Sequence, residues 1–97
     1  MSPSRAREQL FAITVWLPAS LTAPEPAREL ELEATTVRDA VAQVVARAPS
    51  LAPRIMYDDR PLVGFVLNGR QLRPSEALAT GLAHGDRLEF FPPVAGG

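Results

Sequence analysis

The residues of greatest chemical interest stand at the end of the sequence, which closes FFPPVAGG. A carboxylate on Gly97 becomes an electrophile only when one oxygen is converted to a good leaving group, as in an acyl-adenylate. Glycine lacks a Cβ, so Gly96 and Gly97 would let the backbone enter a narrow channel and approach a ligand closely. Pro92 and Pro93 stiffen the stretch before them. Extended at ~3.1 Å per residue, PPVAGG reaches roughly 18 Å, enough to enter a neighbouring active site. The plain alternative is that two terminal glycines are a frayed end without a task.

Elsewhere the sequence offers little that could catalyse. It contains no cysteine, which removes disulfides, thiolate metal sites and thiol nucleophiles. Its ten basic residues are all arginine, so no side chain supplies a primary amine. His84 is the sole histidine and sits between Ala83 and Gly85, where a solvated turn residue is the ordinary reading. No GxxxxGK[ST] loop is present to bind ATP. No nucleophile with its base, carboxylate pair or metal constellation can be assembled, so an enzyme acting alone is disfavoured. Asp58, Asp59 and Arg60, like Arg70, Arg73 and Arg87, read as solvated surface that could also meet a partner.

With 97 residues the chain supplies one domain, and 46% hydrophobic with 22% charged residues places it among globular proteins. The net charge is −1 and the arginines are scattered, so no footprint for nucleic acid stands out. No apolar run approaches the ~20 residues of a membrane span, and MSPSRAREQ leads into an alternating segment unlike a signal peptide. A cytoplasmic protein is expected, with residues 1–9 as a disordered arm, 10–91 as the domain and 92–97 as a flexible tail.

Alternation positions these residues. In LFAITVWL, Phe11, Ile13, Val15 and Leu17 share one face and Leu10, Ala12, Thr14 and Trp16 the other, which predicts a strand. Pro18, Pro24 and Pro26 predict a loop that is neither helix nor central strand. RELELEA predicts a second strand, with Leu30, Leu32 and Ala34 inward and Glu29, Glu31 and Glu33 in water. Val37, Ala40, Val41, Val44, Val45 and Ala48 form a helical stripe, capped by Thr35 or Thr36 and closed by Pro49. SLAPRIMYDDRP reads as a loop or irregular edge. LVGFVLNG reads as a central strand ending in an Asn68-Gly69 turn, with RQL beginning a short return. PSEALATGL reads as a turn or a single helical turn opened by Ser75. RLEFF is the last strand, with Leu88 and Phe90 inward. Phe91 then points away from the helix, where Trp16 and Val66 join it in an exposed apolar patch fit for a partner.

The order hairpin, helix, strand, short element, strand is an α+β arrangement, one main helix on a mixed four- to five-stranded sheet, and it is that of the β-grasp (ubiquitin-like) fold. With VLNG, LATGLAHGDRLEFFPP and the closing PPVAGG, residues 10–97 resemble the ubiquitin-like sulfur carriers, the molybdopterin synthase small subunit and the thiamine sulfur carrier. FPPVAGG is closest to the molybdopterin branch. The resemblance implies that an adenylyltransferase of the ubiquitin-activating type, holding ATP and Mg²⁺ itself, adenylates Gly97. A sulfurtransferase then supplies sulfur, giving a thiocarboxylate that the large subunit of molybdopterin synthase, or another sulfur-acceptor enzyme, consumes. The chain itself binds no cofactor or metal in that scheme. Phe91, Pro92, Pro93, Val94, Ala95, Trp16 and Val66 would form the partner-binding surface, because the family docks through this face.

Three readings from different classes therefore stand side by side. The chain is a sulfur carrier, a protein modifier joined through Gly97 to lysines of other proteins, or an interaction module whose tail is incidental. If it carries sulfur, the acceptor pathway is open between molybdopterin, thiamine, tRNA thiolation, cysteine and a secondary metabolite, with FPPVAGG favouring the first.

Overall fold

Alternating apolar residues make strand β1, Ala12–Leu17, the seed of the sheet. Ile13, Val15 and Leu17 are buried along one side of it, as the period of two requires. The computed structural model describes residues 12–92. Leu10 and Phe11, the N-terminal arm 1–9 and the tail 93–97 lie outside the described residues. β1 pairs antiparallel with β2, Arg28–Glu33, so that Trp16 lies opposite Glu29 and Thr14 opposite Glu31.

The segment between these strands is not the plain loop that its prolines predict. It contains a four-residue helix α1, Ala19–Thr22, with Pro18 as its N-cap. A proline before the first helical turn removes no internal hydrogen bond, which is why it is tolerated there. The hydroxyl of Thr22, only 2% exposed, lies 2.9 Å from both the Glu25 and Pro26 carbonyls and ties the loop to itself.

Helix α2, Val37–Arg47, begins at Thr36, whose side chain accepts a hydrogen bond from the Asp39 backbone N–H at 3.1 Å. Val37, Ala40, Val41 and Val44 are buried against the sheet. After it, the stretch expected to be irregular is ordered. A 3-10 turn at Pro49–Leu51 leads to helix α3, Ala52–Ile55, which buries Ile55. A two-stranded hairpin then pairs β3, Met56–Tyr57, with β4, Arg60–Pro61. Its turn puts Asp58 and Asp59 at φ 51° and 65°, a left-handed conformation that aspartate enters more readily than most residues. Asp59 is held by Arg38 of α2 at 3.1 Å.

Strand β5, Gly64–Leu67, turns through Asn68-Gly69, both at positive φ, into β6, Arg70–Gln71. Such φ values are what an Asn-Gly hairpin turn requires. A 3-10 turn at Ala77–Ala79 follows, with Glu76 rather than Ser75 at its N-cap. The chain then re-enters the sheet as β7, Arg87–Phe91.

The five strands lie in the order β2-β1-β7-β5-β6. β1 and β7 are parallel, and all other pairs are antiparallel. The central position expected for β5 belongs to β7. β5 is bordered on its outer side only by the two residues of β6, and its first residue, Gly64, is exposed. α2 covers one face of the sheet, with Leu88 and Phe90 fully buried beneath it. Phe90 meets Phe65 edge to face, with ring centres 5.1 Å apart. A mixed sheet with one long helix across it, in this connectivity, is the β-grasp fold.

Candidate functional site

β7 delivers the chain to Pro92, so the site is built outward from that strand. Leu88 and Phe90 face the core, and alternation therefore turns Arg87, Glu89 and Phe91 to the open face of the sheet. Strand register sets their neighbours. Glu89 lies between Trp16 of β1 and Val66 of β5, and Phe91 lies opposite Gly64. Phe91 is 39% exposed, one of three exposed large hydrophobic residues among the described residues, with Leu62 and the hairpin residue Tyr57.

Trp16, Val66, Phe91 and Pro92 thus share the open face, but not as one apolar patch. The Arg87 guanidinium lies 5.8 Å from the centre of the Trp16 ring. It donates to Glu29 at 2.9 Å and stands 3.8 Å from Glu89. A half-exposed cation over an indole contributes about 0.5–1 kcal/mol, and a surface ion pair no more than that. The clasp is weak in energy and decisive in geometry, because it roofs Trp16 and spans β2, β1 and β7. Together with Glu31 and Glu33 it gives the face four carboxylates and one guanidinium.

Beside the clasp the face is uncharged. A depression of about 520 Å³ lies around Gly64, walled by Ser20, Val66, Gln71, Phe91 and Pro92, with Phe65 beneath. Trp16 does not line it. Ser20 comes from α1, the element that the prolines concealed. Gly64, Ser20 and Gln71 were missed in the sequence, which carries no periodic signal for residues at strand ends. Alternation alone could have placed Gly64 with Val66 on this face.

The other singled-out residues lie apart. His84 is an exposed turn residue. Among the described residues, no group of three or more His, Cys, Asp or Glu is placed to hold a metal. Asp58, Asp59 and Arg60 belong to the β3–β4 hairpin, on the α2 side of the sheet. Gly96, Gly97, Val94, Ala95 and Pro93 lie outside the described residues. Among the described residues, no helix is long and apolar enough to cross a membrane.

A mixed β-grasp sheet whose central strand leads through Phe91 to Pro92 defines a ubiquitin-like protein. Residues 18–97 match the ThiS family, and the chain belongs to that family. A relative from Archaeoglobus fulgidus, described as a sulfur carrier protein, is 33% identical over 90 residues, covering 90% of this chain and all of its own. The solution structure of small archaeal modifier protein 1 from Methanosarcina acetivorans is similar, with a TM-score of 0.69 and 25% identity over 91% of this chain and 98% of that one. So is a structure from Pyrococcus furiosus described as molybdopterin converting factor subunit 1, with a TM-score of 0.59 and 27% identity over 86% of this chain and 98% of that one.

Proposed function

We propose that the chain carries sulfur on the carboxylate of Gly97. The observation that carries this reading is the route of the chain. β7, held on both sides in the middle of the sheet, ends in Phe91 and leads to Pro92 beside an uncharged depression, and PVAGG follows in the sequence. The chain acts as a substrate and as a subunit, and others do the chemistry. An adenylyltransferase, with its own ATP and Mg²⁺, joins AMP to the Gly97 carboxylate and releases pyrophosphate. The persulfide of a sulfurtransferase then attacks the acyl carbon and displaces AMP, and a second thiol supplied by the partners cleaves the resulting acyl disulfide, forming a disulfide and leaving the thiocarboxylate. The acceptor that best fits FPPVAGG is the molybdopterin precursor, taken up by a large synthase subunit, and the likeness to the Pyrococcus furiosus protein supports it. The likeness to the archaeal modifier supports a second reading, in which activated Gly97 is joined to a lysine of a target protein. Self-linked lysine chains are then impossible, because this sequence has no lysine.

The test uses the missing cysteine. Protein purified from its native host is treated with a thiol-selective alkylating reagent and mapped by intact-mass and fragment spectra. Label on the Gly97 fragment is the expected result, since no side chain offers a thiol. Unlabelled Gly97 together with isopeptide-linked adducts would instead establish the modifier. Deleting Gly97 abolishes sulfur transfer, while stability changes by no more than about a few tenths of a kcal/mol.

A further inference from the structure

β2 borders the sheet on one side, and the direction of its main-chain groups follows from the bonds on the far side of β1. The Gly85 N–H donates to the Ala12 carbonyl at 2.9 Å and the Thr14 N–H to the Asp86 carbonyl at 3.0 Å, so Ala12 and Thr14 turn away from β2. Successive residues alternate, so Ile13 and Val15 turn toward β2, where they meet Leu32 and Leu30. Glu29, Glu31 and Glu33 therefore present their N–H and C=O groups to the outer edge. Two of these carbonyls are taken by helix α2: Arg47 Nη1 donates to Glu31 O at 3.0 Å, and Gln43 Nε2 donates to Glu33 O. The three N–H groups and the Glu29 carbonyl find no partner among the described residues. The edge is closed in part, at two acceptors and at no donor.

We propose that this edge receives an extended segment of a partner protein as an added strand, in which every second residue is lysine or arginine. The inference goes beyond the carrier reading and does not depend on it, because β1 stands between β2 and the strand that leads to Pro92. The two sides of the edge select the visitor. On the open face Glu31 and Glu33 form no ion pair among the described residues, while Glu29 is engaged by Arg87. On the α2 side stand Arg47 and, where the chain enters β2, Arg28, which shares a depression with Ala48 and Leu51. A basic residue turned to the open face is attracted, and one turned to the α2 side is repelled. Basic residues must therefore alternate with uncharged ones at the period of a strand. A depression of about 500 Å³ at Leu32, walled by Gln43 and Arg47, leaves room for the uncharged side chains. The visitor's N–H groups take over the two carbonyls from Gln43 and Arg47, one hydrogen bond replacing another. A second copy of this chain is a poor occupant, since pairing two β2 strands sets glutamates against glutamates.

The experiment titrates the full-length, isotope-labelled chain with a short capped peptide alternating lysine and threonine, followed by NMR at low salt and neutral pH. A peptide of the same composition with its lysines in one block is the control for charge alone. The alternating peptide shifts the Glu29, Glu31 and Glu33 amides and protects them from hydrogen exchange. Gln43→Ala removes a competitor for the Glu33 carbonyl without changing charge, so the peptide binds about two- to tenfold more tightly. Glu31→Lys weakens binding about three- to tenfold at low salt, and less at high salt. Equal affinity for the two peptides, or binding that leaves those amides unshifted, overturns the added strand and leaves only a charged surface. An unchanged Kd for Gln43→Ala in a folded chain overturns it too, as does the absence of binding at about millimolar peptide. Self-association of the Gln43→Ala chain in sedimentation, without peptide, would assign the edge to a second copy and overturn the basic visitor.

Discussion

Asn68 joins two turns that are far apart in sequence, and replacing it tests how the start of β7 is held. Its side-chain Oδ1 accepts from the Arg87 backbone N–H at 2.8 Å, and its Nδ2 donates to Asp86 Oδ1 at 2.9 Å. Asp86 in turn accepts from the Ala83 N–H through its other oxygen at 2.8 Å. Asn68→Ala removes both side-chain bonds and forces alanine to hold φ 51°. Two partly hydrated hydrogen bonds contribute about 1–2 kcal/mol together, at the low end because water can reach Arg87. The left-handed conformation costs alanine about 1 kcal/mol more. The sum is about 2–3 kcal/mol, a fall in Tm of roughly 10–20 °C for a domain of this size. Asn68→Gly loses the same bonds without the conformational cost, so it lies about 1 kcal/mol above the alanine variant. Urea melts followed by Trp16 fluorescence, at unchanged m, measure both. An alanine variant as stable as the glycine variant, or within ~0.5 kcal/mol of the parent, would refute this account.

Other substitutions address the core, the proline loop and the clasp. Phe90→Ala opens a cavity under α2 and removes the contact with Phe65, costing about 3–5 kcal/mol in the same melts. Thr22→Val keeps the shape of a buried side chain and deletes its hydroxyl, leaving loop carbonyls short of a donor; a loss of about 1–2 kcal/mol is expected by thermal denaturation. Arg87→Ala uncovers Trp16, so its fluorescence emission shifts to the red and iodide quenches it more efficiently, while stability changes by less than about 1 kcal/mol.

The parts of the fold legible in sequence are those whose periodicity is undisturbed by turn residues. Ile13-Val15-Leu17, the Val37-to-Val44 stripe and Leu88-Phe90 each repeat long enough to declare a face. Asn68-Gly69 declared its turn for an equally local reason. The 49–61 stretch is not legible, because Pro49 and Pro53, each in the first two positions of a short helical turn, mask those turns. Asp58-Asp59 lacks the glycine that normally announces a hairpin. β5 was misplaced because an apolar strand next to a two-residue edge reads the same as a central one. At the site, alternation brought Phe91 out on the correct face. The Arg87–Glu29 contact spans 58 residues of sequence, and the long-range pairing that creates it has no local signature. For the same reason, Trp16 read as a member of an open patch and stands instead beneath a guanidinium.

The central place of β7 also has a mechanical meaning. A strand at the edge of a sheet can be peeled away one hydrogen bond at a time when its end is pulled. β7 is bonded to β1 on one side and to β5 on the other, and Pro92 continues from its last residue. Tension applied beyond Pro92 along the strand loads both ladders in shear, so many bonds must yield together before any strand slips. A pull transmitted through Pro92 therefore leaves the five-stranded body whole until both ladders give together, and the sheet behaves as an anchor for whatever load reaches its middle strand.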